Sequence, residues 1–498
     1  MGTGKSSGTG SQESRRAARE FPVQLDRAAE IPLPAQLAAA LREAIDAATL
    51  RPGEAVPSTR ELAQRLGVAR GVVVVAYEQL IAEGYLVARH GRGTEVNPGL
   101  GAVVDRSAPP ATPAPRGSDD ARDSAAAPSA RGPEPLRPGV PTPSAIDSPA
   151  WRAAWRDAAA RAHLAAPSLG DPRLREEIAE HLRRMRATAR PAGDVIVTAG
   201  TRDGLGLLLL ALAGERGRAL VVGVEDPGLP SLRGVAARHG TRIVALPADS
   251  EGLDTSRLPD GGLDVVIVTP SHQYPLGGSL PLVRRRELLA WAARQGVVIV
   301  EDDFDSELRY TGSPLPTLAA LDDAVTGSVV LLGTFSRTIA PALSAGYLLA
   351  SERLRALLEP ARRELGGPVS AVVQSALAHY LASGELRRHT LRLLRRYAER
   401  RDLVSERLAG VPGVRVRPMD GGLHAVLEFV GADQEALRAR EAAVVRAAAA
   451  AGLGVQPLGG YWQRRGAGMA GLVIGMGGSD DAEFDAALRR LAAILRAR

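Results

Sequence analysis

Two neighbouring stretches decide the fold of the second half of the chain: DVVIVTPSHQYPLGG at residues 264–278 and VVIVEDDFDSELRY at residues 297–310. Each opens on a short, continuous run of β-branched residues and then turns abruptly polar. A helical stretch separates them. Apolar runs without polar alternation are buried on both faces, which is the signature of a parallel sheet covered by helices. The same pattern recurs as VIVT (195–198), ALVVGVED (219–226) and SVVLLGT (328–334). In such sheets ligands bind beyond the carboxyl ends of the strands, and the polar residues of these motifs fall there.

The rest of the chain bounds what this sheet belongs to. At 498 residues it exceeds one ordinary core and has room for two or three domains. Hydrophobic residues at 45% and charged residues at 24% exclude a disordered or fibrous chain. No apolar run reaches the ~20 residues that span a bilayer, and the first twenty residues lack the apolar core of a secretory signal. A cytoplasmic protein without membrane partners is the expectation. With no cysteine, thiolate zinc sites and disulfides are excluded, and no metal site is read. The 62 Lys+Arg comprise 61 arginines and one lysine, Lys5. Chemistry that needs a buried lysine amine is therefore nearly excluded before any motif is considered. The net charge of +6 is mild for this length and does not by itself point to nucleic acid.

Outward from the sheet, the chain changes character several times. Residues 1–30 read as a flexible tail. From Pro34, Leu37, Leu41 and Ile45 recur at helical spacing until Leu50-Arg51-Pro52-Gly53 breaks the pattern. A second helix opens at Ser58 with Glu61 three residues on, a capping box, and stops at Gly67. A third runs from about Ala69 to Glu83 and ends at Gly84. Two short strands, Tyr85–Ala88 and Thr94–Val96, flank a turn at His90–Gly93. Three helices and a two-stranded ribbon make residues 31–97 a winged helix-turn-helix. Residues 98–149 hold 12 of the 35 prolines amid Ala, Ser and Gly, a composition that reads as a semi-extended linker. The sheet domain then spans 150–498, with a large lobe to about residue 383 and a smaller α+β lobe over 384–498.

In a helix-turn-helix, the first residues of the second helix of the pair meet the bases. Here Arg70 is placed for a base edge or phosphate, Ser58 and Arg60 for the backbone, and His90, Gly91, Arg92 and Thr94 for a wing along a groove. PSTRELAQRLGVAR, AYEQLIAEGYL and RHGRGTEV resemble the winged helix of GntR-type regulators, which implies a double-stranded DNA operator as partner and DNA contacts at Arg60, Arg70, His90 and Gly91. Ala69, Gly71, Val72, Val73 and Val74 stand where that family often has small polar residues. Arg70 and phosphate contacts are expected to carry more of the binding.

The motifs DPRLREEIAEHLRR, VTAGTRDGL, VEDPGLP, VTPSHQYPLGG, VEDDFDSELRY and GTFSRTIAPALSAGY are similar, in order and spacing, to the fold-type I aminotransferase domain, an α/β fold that carries pyridoxal phosphate. Fused to a GntR-type module, they resemble the MocR-type regulators. That resemblance implies a homodimer and a ligand-sensing cleft. It also places Arg337 where the family's Schiff-base lysine stands, Leu229 at the stacking aromatic, Phe304 at the hydroxyl donor to the cofactor ring, and Ser344 at a phosphate-binding arginine. The family's carboxylate-binding arginine would fall near Gly477 or Gly478. A guanidinium has no free amine at neutral pH, so Arg337 cannot form an aldimine. Arginine-for-lysine bias explains Arg337 alone and not the other three. Asp302 remains for a pyridinium nitrogen, and Gly200, Thr201, Thr334 and Ser336 for a phosphate. Arg202, Arg337 and Tyr274 complete the degenerate pocket, which would suit an anionic effector. No catalytic residue is assigned. The expectation is a regulator without a covalent cofactor; pyridoxal phosphate bound non-covalently is the alternative, and a working aminotransferase is disfavoured by the missing lysine.

Overall fold

The computed structural model describes residues 25–27, 31–47, 49–89, 93–101, 134–142, 148–309, 315–418, 420–463 and 468–497. The chain divides into two compact units, 1–107 and 108–498.

In the first unit, helices α1 (Leu33–Asp46), α2 (Thr59–Leu66) and α3 (Arg70–Ala82) precede the antiparallel pair β1 (Leu86–Arg89) and β2 (Gly93–Val96). The start and stop of α2 follow from its sequence. The Ser58 hydroxyl accepts the Glu61 N–H at 3.2 Å, and Gly67 closes the helix at φ +62°, a left-handed conformation that glycine adopts without steric cost. The core interleaves Leu37, Leu41 and Ile45 of α1 with Leu62 of α2 and Val73 and Leu80 of α3. Buried Tyr77 donates its O–H to the Pro57 carbonyl at 2.7 Å, fixing the entry of α2 against α3.

The second unit holds an eight-stranded sheet: β3 (Val195–Thr198), β4 (Val221–Asp226), β5 (Arg242–Asp249), β6 (Gly252–Leu253), β7 (Val265–Val268), β8 (Val298–Asp303), β9 (Val329–Thr334) and β10 (Gly346–Ala350). Their spatial order is β3-β10-β9-β8-β7-β4-β5-β6. All five expected strands form. The sheet is mixed, however: β10 runs antiparallel between β3 and β9, and β6 runs antiparallel to β5. Along β7, Val265 and Ile267 enter the core on one face while Val266 and Val268 enter the core on the other. That two-sided burial is why the strand reads as an unbroken apolar run. The smaller lobe carries β11 (Val414–Val416), β12 (His424–Phe429), β13 (Gln456–Pro457) and β14 (Gly471–Gly475) in the order β11-β12-β14-β13, packed against the long helix Glu385–Leu408.

The linker expectation for 98–149 needs correction at its far end. Residues 134–142 (EPLRPGVPT) lie along the smaller lobe as a strap. Leu136 is fully buried in that lobe's core, its N–H donating to the Leu453 carbonyl at 2.9 Å and its carbonyl accepting from the Gly475 N–H at 2.8 Å. Residues 102–133 and the tail 1–24 lie outside the described residues. No described helix is long and apolar enough to cross a membrane.

Candidate functional site

In the winged-helix unit the two helix starts that would face DNA sit together. Ser58 caps α2, Arg60 is exposed on its first turn, and exposed Arg70 opens α3 with its Nε 3.4 Å from the Thr59 hydroxyl. Glu61 is occupied by Arg65 at 2.5 Å, which tempers the negative charge on the same turn. Val75 faces outward on α3, 44% exposed, in keeping with a recognition helix poor in hydrogen-bond donors. Thr94 pairs with Ala88 in the ribbon, and its carbonyl accepts the Val56 N–H at 3.0 Å. His90, Gly91 and Arg92 lie outside the described residues. Sequence reading missed Arg27, whose guanidinium donates to the Gly67 carbonyl at the turn between α2 and α3, 2.6 Å away.

In the second unit the polar strand ends converge on a cleft. Asp302, on β8, is 3% exposed, and neither of its carboxyl oxygens meets a hydrogen-bond partner among the described residues. Burial pushes its pKa up to about 8, the charge of Arg337 being the main opposing influence. Glu225, on β4, lines the same narrow pocket with Gly228, Leu229, Arg233 and Thr269. Its carboxylate accepts the Thr269 O–H at 2.6 Å and N–H at 3.2 Å, and burial raises it to about 7. Leu229 is half-buried and contributes an aliphatic wall. Phe304 stacks on His272 with ring centres 5.9 Å apart and meets Tyr274 edge-on at 5.5 Å. Tyr274 and Tyr461 bring their hydroxyls within 3.4 Å.

Gly200 opens the helix Thr201–Arg216 at φ +95°, and a Cβ there would lie 3.8 Å from the Thr334 hydroxyl, which accepts the Ser336 N–H at 3.1 Å. Thr334, with Ser336 bonded to it, thus lies beside the helix start that Gly200 and Thr201 form. Arg337 follows directly, and its charge reaches Asp302, Tyr274, Tyr461 and His424. Its guanidinium donates to the Gly139 carbonyl of the strap. Arg202 is exposed on the first helical turn. Ser344 is exposed and left-handed, at φ +44°. Gly477 and Gly478 lie against Val140 of the strap, whereas Val473 of β14 packs with Tyr274, Phe304 and Tyr461.

Sequence reading missed Glu225, Tyr461 and the strap's Gly139. For Glu225 the sequence offered only its place at the end of an apolar strand, which does not say which cleft it lines. His272, Asp305 and His424, all buried, bring one ligand atom each within 4.8 Å of one another. Both rings already have partners: His272 Nδ1 bonds Asp305 at 2.8 Å and His424 Nε2 donates to the Pro275 carbonyl at 2.9 Å.

Fold and site together define a class: a winged helix-turn-helix joined to an aminotransferase-like domain. Residues 33–96 match the gntR family of bacterial regulatory proteins, and residues 140–457 match aminotransferase class I and II. The chain is 42% identical, over 93% of its length and 96% of the relative's, to the HTH-type pyridoxine biosynthesis transcriptional regulator PdxR of Corynebacterium glutamicum. It is 33% identical to the probable rhizopine catabolism regulatory protein MocR of Rhizobium meliloti, over 76% and 77% of the two chains. Among solved structures, an archaeal alanine:glyoxylate aminotransferase superposes with a TM-score of 0.63 at 20% identity, covering 73% of this chain and 90% of that one. The chain belongs to the MocR-type, GntR-family transcriptional regulators.

Proposed function

We propose that the aminotransferase-like domain of this DNA-binding regulator serves as a dimerisation and effector-sensing domain and performs no aldimine chemistry. One observation carries the reading. The cleft that would hold pyridoxal phosphate receives the guanidinium of Arg337, and the chain's single lysine is Lys5, far from it in sequence. The residues present do not fit a covalently bound pyridoxal phosphate. DNA contacts are assigned to Ser58, Arg60, Arg70 and Thr94, with His90, Gly91 and Arg92 as wing tip. A cytoplasmic homodimer would set two such modules on two half-sites of an operator. Ligand in the cleft then acts on the DNA modules by its differential affinity for two arrangements of the domain.

The test has two parts. Selection of bound sequences from random double-stranded DNA, followed by footprinting, should reveal a paired site, and cleft ligands should alter its occupancy; occupancy indifferent to every ligand removes the sensing role. Borohydride treatment with pyridoxal phosphate, followed by mass measurement, should leave no adduct in the large domain. A second reading, non-covalent binding of pyridoxal phosphate, is favoured by the unpartnered Asp302 and by the Gly200–Thr201 helix start. The pyridoxine-related role in the name of the 42%-identical relative points the same way.

A further inference from the structure

His272 follows β7, Asp305 follows β8 and His424 opens β12, so the large lobe supplies two of these side chains and the smaller lobe the third. They are 7%, 4% and 4% exposed, and one ligand atom of each lies within 4.8 Å of the other two. Buried charged groups are paired or coordinate metals. The hydrogen bonds present leave coordinating lone pairs on all three. A carbonyl only accepts, so His424 carries its proton on Nε2, bonded to the Pro275 carbonyl at 2.9 Å, and Nδ1 keeps a lone pair. Metal-binding imidazoles are held in this way, by an outer bond from the opposite nitrogen. His272 Nδ1 donates to one Asp305 oxygen at 2.8 Å, which leaves lone pairs on its own Nε2 and on the carboxylate.

Packing fixes the rings. Phe304 stacks on His272 with centres 5.9 Å apart, and Tyr274 lies 4.4 Å from His424. Gly422 closes over the cluster at φ +85°, where a Cβ would strike the His272 ring and come within 2.8 Å of Asp305 Oδ2. A cavity of about 10 Å³, the room of one water, adjoins His272 and Asp305. Asp420 lines it with Arg309, and the charge of Arg337 reaches His424. Two carboxylates thus offset two guanidinium groups, and the imidazoles decide which cation suits the site.

We propose that His272, Asp305 and His424 bind one divalent transition-metal ion of the zinc type and so clamp the smaller lobe onto the large one. Two imidazoles and a carboxylate are a zinc donor set, with bonds of about 2.0–2.2 Å and water in the fourth position. Hard cations such as magnesium prefer all-oxygen ligands and are selected against. Because the ligands come from both lobes, the ion favours the arrangement seen here over any in which the lobes part. The inference requires nothing of the effector-sensing role.

The test uses the full-length, tag-free protein after chelation and dialysis. Titration with zinc chloride, followed by calorimetry and elemental analysis, should show one ion per chain at about micromolar free zinc, and magnesium chloride should show none. Zinc should also raise the melting temperature. Asp305→Asn and His424→Asn should each weaken zinc binding by about a hundredfold or more, at least the upper end of what losing an outer partner costs. Circular dichroism of the metal-free variants checks that they fold. If they do not, the parent loaded with cobalt(II) decides: intense visible bands mark a four-coordinate site and weak ones a hydrated surface ion. No saturable zinc, zinc binding that survives both variants, equal uptake of magnesium, or weak cobalt bands overturns the proposal. Bound zinc that leaves the melting temperature unmoved defeats the clamp.

Discussion

Arg70 stands at the first position of α3, exposed, with a long 3.4 Å contact to Thr59. Val75, the exposed valine on the same helix, has no hydrogen bond to offer a base edge. Arg70→Ala is therefore expected to lower operator affinity by roughly ten- to a hundredfold, the range of one base-contacting arginine, without moving the melting temperature. Gel-shift titration beside a thermal melt checks both halves. Tyr77 is the opposite kind of residue. Its hydroxyl is buried on the Pro57 carbonyl at 2.7 Å and touches no DNA-facing group. Tyr77→Phe should cost about 1 kcal/mol of stability in that unit and leave an unsatisfied carbonyl behind; chemical denaturation measures it. The positions of Arg60 and Arg70 at two helix starts and the Ser58 cap were legible in the sequence because they depend on local spacing. Glu225 and Tyr461 were not, because they become neighbours of the cleft only through sheet order and lobe packing.

At the scale of elements, the strap 134–142 shows why composition misled. Proline, glycine and alanine cannot build a core of their own, but here a single leucine enters a core built by others. The smaller lobe presents glycines where the strap lies down. A Cβ at Gly475 would strike the Arg137 carbonyl, one at Gly477 the Val140 carbonyl, and one at Gly454 the Glu134 side chain. Tyr397 closes the far end with an O–H to the Thr142 hydroxyl at 3.2 Å. Gly139 sits at φ +82°, and a Cβ there would run into the Arg337 guanidinium. Gly139→Ala therefore combines backbone strain with a steric clash, a cost of roughly 1–3 kcal/mol. Hydrogen exchange over 134–142 should accelerate more than tenfold in that variant while the buried strands β7 and β8 keep their protection. Unchanged exchange would show that the strap does not depend on Arg337. The five strands rich in valine, isoleucine and leucine were readable for a related reason, since two-sided burial leaves an unbroken apolar pattern. The antiparallel β10 was not, because GYLLA carries no mark of its direction or its neighbours.

For the whole molecule, the buried charges of the second unit dictate how stability depends on pH. Asp302 is raised to about 8, and Glu225 and Glu301 to about 7, each chiefly by burial. A carboxyl raised above its unfolded value binds more protons in the native state. Its burial is harmless below the unfolded pKa near 4 and increasingly destabilising as pH climbs to the folded value. His389 and His424 are lowered to about 4, so they oppose this trend between pH 4 and 6.5, where the unfolded chain protonates them and the native chain does not. His181, whose charged form burial opposes but the charge and hydrogen bond of Glu307 favour more, is raised on balance and contributes stability that is present below its unfolded pKa and fades as pH rises through its folded one. With three raised carboxyls against two lowered histidines, stability should fall gently from pH 5 to 6.5 and more steeply from 6.5 to 8.5, where the carboxyls and His181 act in one direction. Melting temperatures across that upper window read the effect. Asp302→Asn removes the largest contributor, so its curve should lie above the parent's at pH 8.5 and fall less steeply from 6.5. A variant curve parallel to the parent's would mean that Asp302 does not carry the proton that its burial favours.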